Sequence, residues 1–200
     1  MAVLFPGRRH GDQPYREPGF ANWVKAVRAH HDQTYQHSML VCGSAAAFGQ
    51  HLGFNAVDRR RVALAGLLHD IGKAQVDVEI LSKDAELDEV ERAVLSQHPE
   101  LGYRVLREDR TLEPTILDAI LHHHEYLDGS GYPDRLKGSE VSDLTRVITI
   151  MDIFSALIEC RAYKAPLCGP DAFQALFEMG GKLDQDLVRA FQPLSRAQFS

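Results

Sequence analysis

The run Ala65-Gly-Leu-Leu-His-Asp-Ile-Gly-Lys73 constrains this chain more than any other stretch. Val62, Leu64, Ala65, Leu67, Leu68 and Ile71 form an apolar helical pattern that closes on His69 and Asp70. A carboxylate at the end of so apolar a helix is costly to bury unless it is paired or bound to a cation. The fold must therefore bring other polar groups to it.

Four further places supply such groups. Val147, Ile148, Met151 and Leu157 mark a core-facing helix, and Asp152 lies one turn beyond Ile148 on the same face. In His122-His123-His124-Glu125, a rotation of about 100° per residue continues the face of Ile116 and Ile120 into His123. The same rotation continues that of Leu117 and Leu121 into His124 and leaves His122 on the polar side, beside Thr115 and Asp118. His37 and His98 also fall on or end expected helices. Each residue alone has an ordinary reading, as a satisfied core histidine or a paired aspartate. Taken together they form an imidazole and carboxylate set without thiolate, which suits iron, manganese or zinc.

The rest of the chain reads as helices joined by short turns. Asp88 and Glu91 form a capping box opening a helix to about residue 97, with Pro99 marking an interruption just after His98. Further helices are expected over 114–124 and 142–160, with short ones near 173–178 and 187–191. No segment alternates at period two, so the expected class is all-α. Residues 1–19, rich in Pro, Gly and charge, read as a tail or linker remnant ahead of a domain spanning 20–200.

Charge and cysteine content exclude several classes. Residues 1–31 carry five Lys/Arg against two Asp/Glu, which leaves 17 against 26 in the remainder, so no basic stripe for duplex nucleic acid is evident. Cys42, Cys160 and Cys168 have no CxxC spacing, which suits a reducing, cytoplasmic setting. No apolar run reaches membrane-spanning length, and Arg8, Arg9, Pro14 and Pro18 stand where a signal peptide needs its apolar segment.

Four motifs carry a specific resemblance: LLHDIGK (67–73), QHPELG (97–102), HHEYLDGSGYP (123–133) and MDIFSALIECRAYK (151–164). The chain resembles the HD-GYP family of the HD phosphohydrolase superfamily from about residue 30 to its last helix. The resemblance implies a helical bundle with a metal centre in its core, and hydrolysis of cyclic di-GMP to linear pGpG and onward to GMP by a metal-bridging hydroxide. It implies that His37, His69, Asp70 and Asp152 hold one divalent ion, that Asp70 bridges to a second, and that His98, His123 and His124 complete the second site. Lys73 and Asp70 are the expected catalytic groups. Lys73, Tyr132, Ser155, Arg161 and Lys164 are the expected substrate contacts, and the GYP loop is a candidate face for a partner signalling domain.

Three departures from the family pattern bear on this. Gln33 stands where three-metal members carry a glutamate, so two ions, iron or manganese, are expected. Ser155 replaces the second aspartate of DxxDAL, and Ala162 replaces a proline, so the substrate cradle is altered. Two rivals follow: the same chemistry on another cyclic dinucleotide or nucleotide phosphoester, and a weakly active, metal-bound sensor or docking module.

Overall fold

The computed structural model describes residues 25, 27–160 and 165–198. The expected tail and the positions Arg161, Ala162 and Lys164 lie outside the described residues. Among those described, residues 27–30 are helical and nine further α-helices follow: α1 (Asp32–His51), α2 (Ala56–Leu68), α3 (Val78–Leu81), α4 (Glu89–Leu95), α5 (His98–Leu106), α6 (Pro114–His122), α7 (Asp143–Ile158), α8 (Gly169–Glu178) and α9 (Gln185–Gln198). The one β feature among them is an isolated bridge between Asp128 and Lys137. The all-α expectation holds.

Local signals set most of the helix ends. Asp88 accepts from the Glu91 backbone while Glu91 reaches back to Asp88, the expected capping box, and Ser142 caps α7 through the Thr145 N–H. The helix break expected at Pro99 falls slightly earlier, at Ser96 and Gln97 between α4 and α5, ahead of Pro99. Pro99 itself stands in the first turn of α5, where its missing N–H has no intrahelical partner to lose. The α9 helix runs well beyond the expected 187–191 and carries Pro193 inside it.

The core gathers around α1, α2 and α7, which pack on one another, with α6 against α2 and α7, and α8 and α9 closing one side. Val41, Ala45 and Phe48 of α1 meet Ala65 and Leu68 of α2 and Ile148, Met151 and Phe154 of α7, all fully buried or nearly so. Phe191 of α9 completes this cluster, with ring centroids 5.2 Å from Phe48 and 4.6 Å from Phe154.

One close approach positions the polar residues. After α2 the chain tightens into a 3-10 turn, Ile71–Gln75, which packs on α5. A Cβ on Gly72 would lie 1.9 Å from the His98 carbonyl oxygen and 2.5 Å from the Gly102 nitrogen. Only a glycine lets α5 come near enough to place His98 beside Asp70. Gly72→Ala is therefore expected to destabilise the protein by about 3 kcal/mol or more, the upper part of the range for overpacking. A denaturant midpoint within error of the native value would contradict this close packing.

Candidate metal centre

The polar residues singled out in the sequence converge in the core. His37 comes from α1, His69 and Asp70 from the turn after α2, His98 from the start of α5, His123 and His124 from the end of α6, and Asp152 from α7. All are buried except His124, whose side chain is 25% exposed. Three overlapping groups have ligand-type atoms within 4.8 Å of one another: His37–His69–Asp70, His98–His123–His124 and His69–His123–Asp152.

Asp70 lies between the first two groups. Its Oδ2 is 3.4 Å from His69 Nε2, and its Oδ1 is 3.2 Å from His98 Nε2 and 3.9 Å from His123 Nε2. Asp152 sits similarly, with Oδ1 2.8 Å from His37 Nε2 and 3.6 Å from His69 Nε2, and Oδ2 3.9 Å from His124 Nδ1.

The donor set can be tested for its fit to cations. His98 donates Nδ1–H to the Leu95 carbonyl at 2.7 Å, and His123 does the same to Ile120 at 2.8 Å. In the neutral rings both Nε2 atoms then carry lone pairs, yet they lie 3.1 Å apart. His124 Nε2 is a further 3.2 Å from His98 Nε2. Such confronted acceptors repel unless they share a cation. The buried His69 Nε2 and Asp70 Oδ1 also lack a hydrogen-bond partner. The residues fit divalent metal ions.

The electrostatics agree. Burial opposes ionisation of Asp70, but Lys73 and His69 outweigh it and hold the carboxyl well below its usual range. Burial likewise opposes ionisation of Asp152, and His37 and His69 outweigh it. The His69 imidazole, which burial would push down, is instead raised to about 10 by Asp70 and Asp152. Burial, then the neighbouring His98, lowers His124 to about 3, and burial followed by His124 holds His123 well below its usual value. Two ionised carboxylates thus lie beside His98, His123 and His124, whose imidazoles are kept neutral as metal ligation requires, while Asp70 and Asp152 favour the cationic form of His69.

Lys73 Nζ donates to Asp70 Oδ2 at 2.6 Å and reaches a pocket of about 280 Å³ lined also by Gln33, Thr34, His37, Asp70 and Glu159. The other expected substrate contacts are placed differently. Tyr132 stacks on the His124 ring, with centroids 4.8 Å apart and planes at 29°, and is not in that pocket's lining. Ser155, expected to touch substrate, is wholly buried, and its Oγ has no hydrogen-bond partner. It presents no surface to a ligand in this structure, because α7 turns this position into the core. Arg161 and Lys164 lie outside the described residues.

His122 stands apart, as expected. It bonds to Asp118 at 2.8 Å and Asp134 at 3.0 Å, outside the ligand groups.

Two carboxylates carry roles that the sequence patterns did not expose. Glu125, fully buried, accepts the backbone N–H groups of Asp134, Arg135 and Leu136 at 2.6, 2.8 and 3.1 Å. It ties down the 128–137 loop, whose Gly131 packs so closely that a Cβ would meet Glu125 Cα and the His124 carbonyl oxygen at 2.5 Å. Glu125→Ala would leave three amides without their acceptor and is expected to cost about 3 kcal/mol or more, read as a lowered denaturant midpoint. A loss below about 1 kcal/mol would contradict the anchoring role. The second is Glu159, 3.5 Å from His37 Nδ1 through its Oε2. It follows the last residue of α7 in an extended conformation, so helical spacing from Asp152 gave no signal for it.

A family model described as HD domain matches residues 24–187. The chain is 34% identical over 176 residues to a cyclic di-GMP phosphodiesterase of Pseudomonas aeruginosa, covering 88% of this chain and 42% of that protein. It is 37% identical over 158 residues to 3'3'-cGAMP-specific phosphodiesterase 3 of Vibrio cholerae, covering 78% of this chain and 34% of that protein. The chain spans less than half the length of these curated relatives. Its fold superposes on an HDG"Y"P protein from Bdellovibrio bacteriovorus with a TM-score of 0.69 at 17% identity, over 88% of this chain and 61% of the other, a likeness of fold alone. Among the described residues, no helix is long and apolar enough to cross a membrane.

Proposed function

This chain belongs to the HD domain family, and from that membership we propose that it is a metal-dependent phosphodiesterase that opens cyclic di-GMP to linear pGpG. The observation that carries the reading is the confrontation of unprotonated Nε2 atoms beside two ionised carboxylates, with Lys73 in the lining of the adjoining pocket. Residues 20–200 form the catalytic unit in this reading, and 1–19 are a tail or linker remnant.

The ligands would be His37, His69, Asp70 and Asp152 for one ion and His98, His123 and His124 for the other, with Asp70 shared. Its two oxygens face the two groups, which supports the bridging role. Two divalent ions, iron or manganese, would supply Lewis acidity toward a phosphate and a water of lowered pKa. The protein's own part is to hold them in a dry core and to present the phosphodiester in line. Lys73 would neutralise charge developing on the phosphate oxygens and place a proton near the departing ribose O3′. In the balanced step, water oxygen bonds to phosphorus, the P–O3′ bond breaks, and O3′ takes up a proton. One hydrolysis gives pGpG, and a second would give GMP.

A second reading keeps the chemistry and changes the substrate. The 37% identity to a 3'3'-cGAMP-specific phosphodiesterase favours a mixed cyclic dinucleotide. The exposed rim of the GYP loop, Ser130, Pro133, Asp134 and Arg135, is the surface we assign to a partner signalling domain. The test is to incubate anaerobically purified, iron- or manganese-loaded protein with cyclic di-GMP and 3'3'-cGAMP in parallel and to chromatograph the products. Faster conversion of cyclic di-GMP to pGpG is expected. Preference for 3'3'-cGAMP would establish the second reading, and binding without turnover would establish a sensor.

A further inference from the structure

Three of the five imidazoles in the centre are oriented alike. His69, His98 and His123 each donate Nδ1–H to the carbonyl three residues earlier, which aims Nε2 inward. His124 is held by the Tyr132 ring stacked on it. His37 has neither device. It lies within α1, and its buried Nδ1 makes no well-formed hydrogen bond.

That nitrogen faces Glu159. The α7 helix ends at Ile158, and Glu159 adopts an extended backbone, φ −71° and ψ 134°, with its side chain only 11% exposed. One helix therefore delivers Asp152 to His37 Nε2 at 2.8 Å and Glu159 to His37 Nδ1 at 3.5 Å. The longer distance is outside good hydrogen-bond range, which a shift of a few tenths of an ångström would reach.

We propose that Glu159 is a positioning residue that receives the Nδ1–H of His37 and so holds its Nε2 toward a bound divalent ion. The inference rests on the metal centre proposed above. A cation on Nε2 excludes the proton there, so the ring proton resides on Nδ1, buried and facing a carboxylate. A carboxylate on the far nitrogen of a ligating imidazole fixes its tautomer and raises its basicity, and its loss typically weakens metal binding by roughly 10–100-fold.

The experiment titrates the full chain with manganese(II) against a competing chelating indicator. Glu159→Ala should weaken one ion by roughly 10–100-fold. Glu159→Gln, which keeps an acceptor oxygen, should recover most of that, and the Ala effect should largely vanish in a His37→Ala background. Thermal melts of the metal-free variants should superimpose on the native curve, which a purely structural role would not allow. Unchanged affinity in Glu159→Ala, or an equal loss with and without His37, overturns the proposal. Should Glu159→Ala fail to fold, nitrogen NMR of zinc-loaded native protein decides: a proton on His37 Nδ1 supports the proposal, and one on Nε2 overturns it. A native chain that binds no manganese removes the metal centre and this inference together. Native binding that is indifferent to Glu159 removes the inference alone.

Discussion

Asp70→Ala is expected to strip the centre of metal and to lower hydrolysis by more than about 10³-fold, beyond the loss of a single electrostatic stabiliser. The carboxylate divides its oxygens between the His69 side and the His98–His123 side, so its removal takes a ligand from both groups at once. It also removes one of the two buried anions that would balance the ions' charge, and it leaves Lys73 without its 2.6 Å partner. Metal analysis beside the native protein checks this, with two ions per chain expected in the native form. His122→Ala is the control: its ring bonds to Asp118 and Asp134 and should release no metal. An unchanged load in Asp70→Ala, or three ions in the native protein, would contradict the assignment.

Lys73→Ala is expected to keep both ions and to lose roughly 10²-fold or more in turnover, the range for an electrostatic stabiliser at a transferring phosphate. The ordinary alternative is that the ammonium only neutralises Asp70, three residues earlier in the chain. That alternative predicts near-native turnover once bound metal takes over the neutralising role. The position of Lys73 in the pocket lining favours the catalytic outcome. Turnover of metal-loaded Lys73→Ala, with metal content confirmed on the same sample, separates the two.

Much of this centre was legible in the sequence because it lies on helices, where a rotation of about 100° per residue fixes which side chains share a face. That rule separates His123 and His124 from His122, and it turns Asp152 toward the core beside Ile148. It cannot say whether a core-facing position reaches a cleft or is sealed in packing, and so Ser155, an expected substrate contact, is wholly buried. Glu159 escaped for a related reason. It follows the last residue of α7, where the backbone turns extended and helical rotation no longer places the side chain. Glu125 was read as part of a motif, and its work as acceptor for three loop amides depends on a turn that only the folded chain defines. The close approach of α5 to Gly72 is likewise a tertiary fact, carried by one missing Cβ.

The most direct test follows hydrolysis of cyclic di-GMP while manganese(II) is added in measured steps to metal-free protein and then withdrawn with a chelator. Activity is expected to be weak at one equivalent, to rise as the second binds, to yield pGpG, and to vanish on chelation. Hydrolysis that survives complete removal of metal, or its absence when both equivalents are bound, would contradict the account.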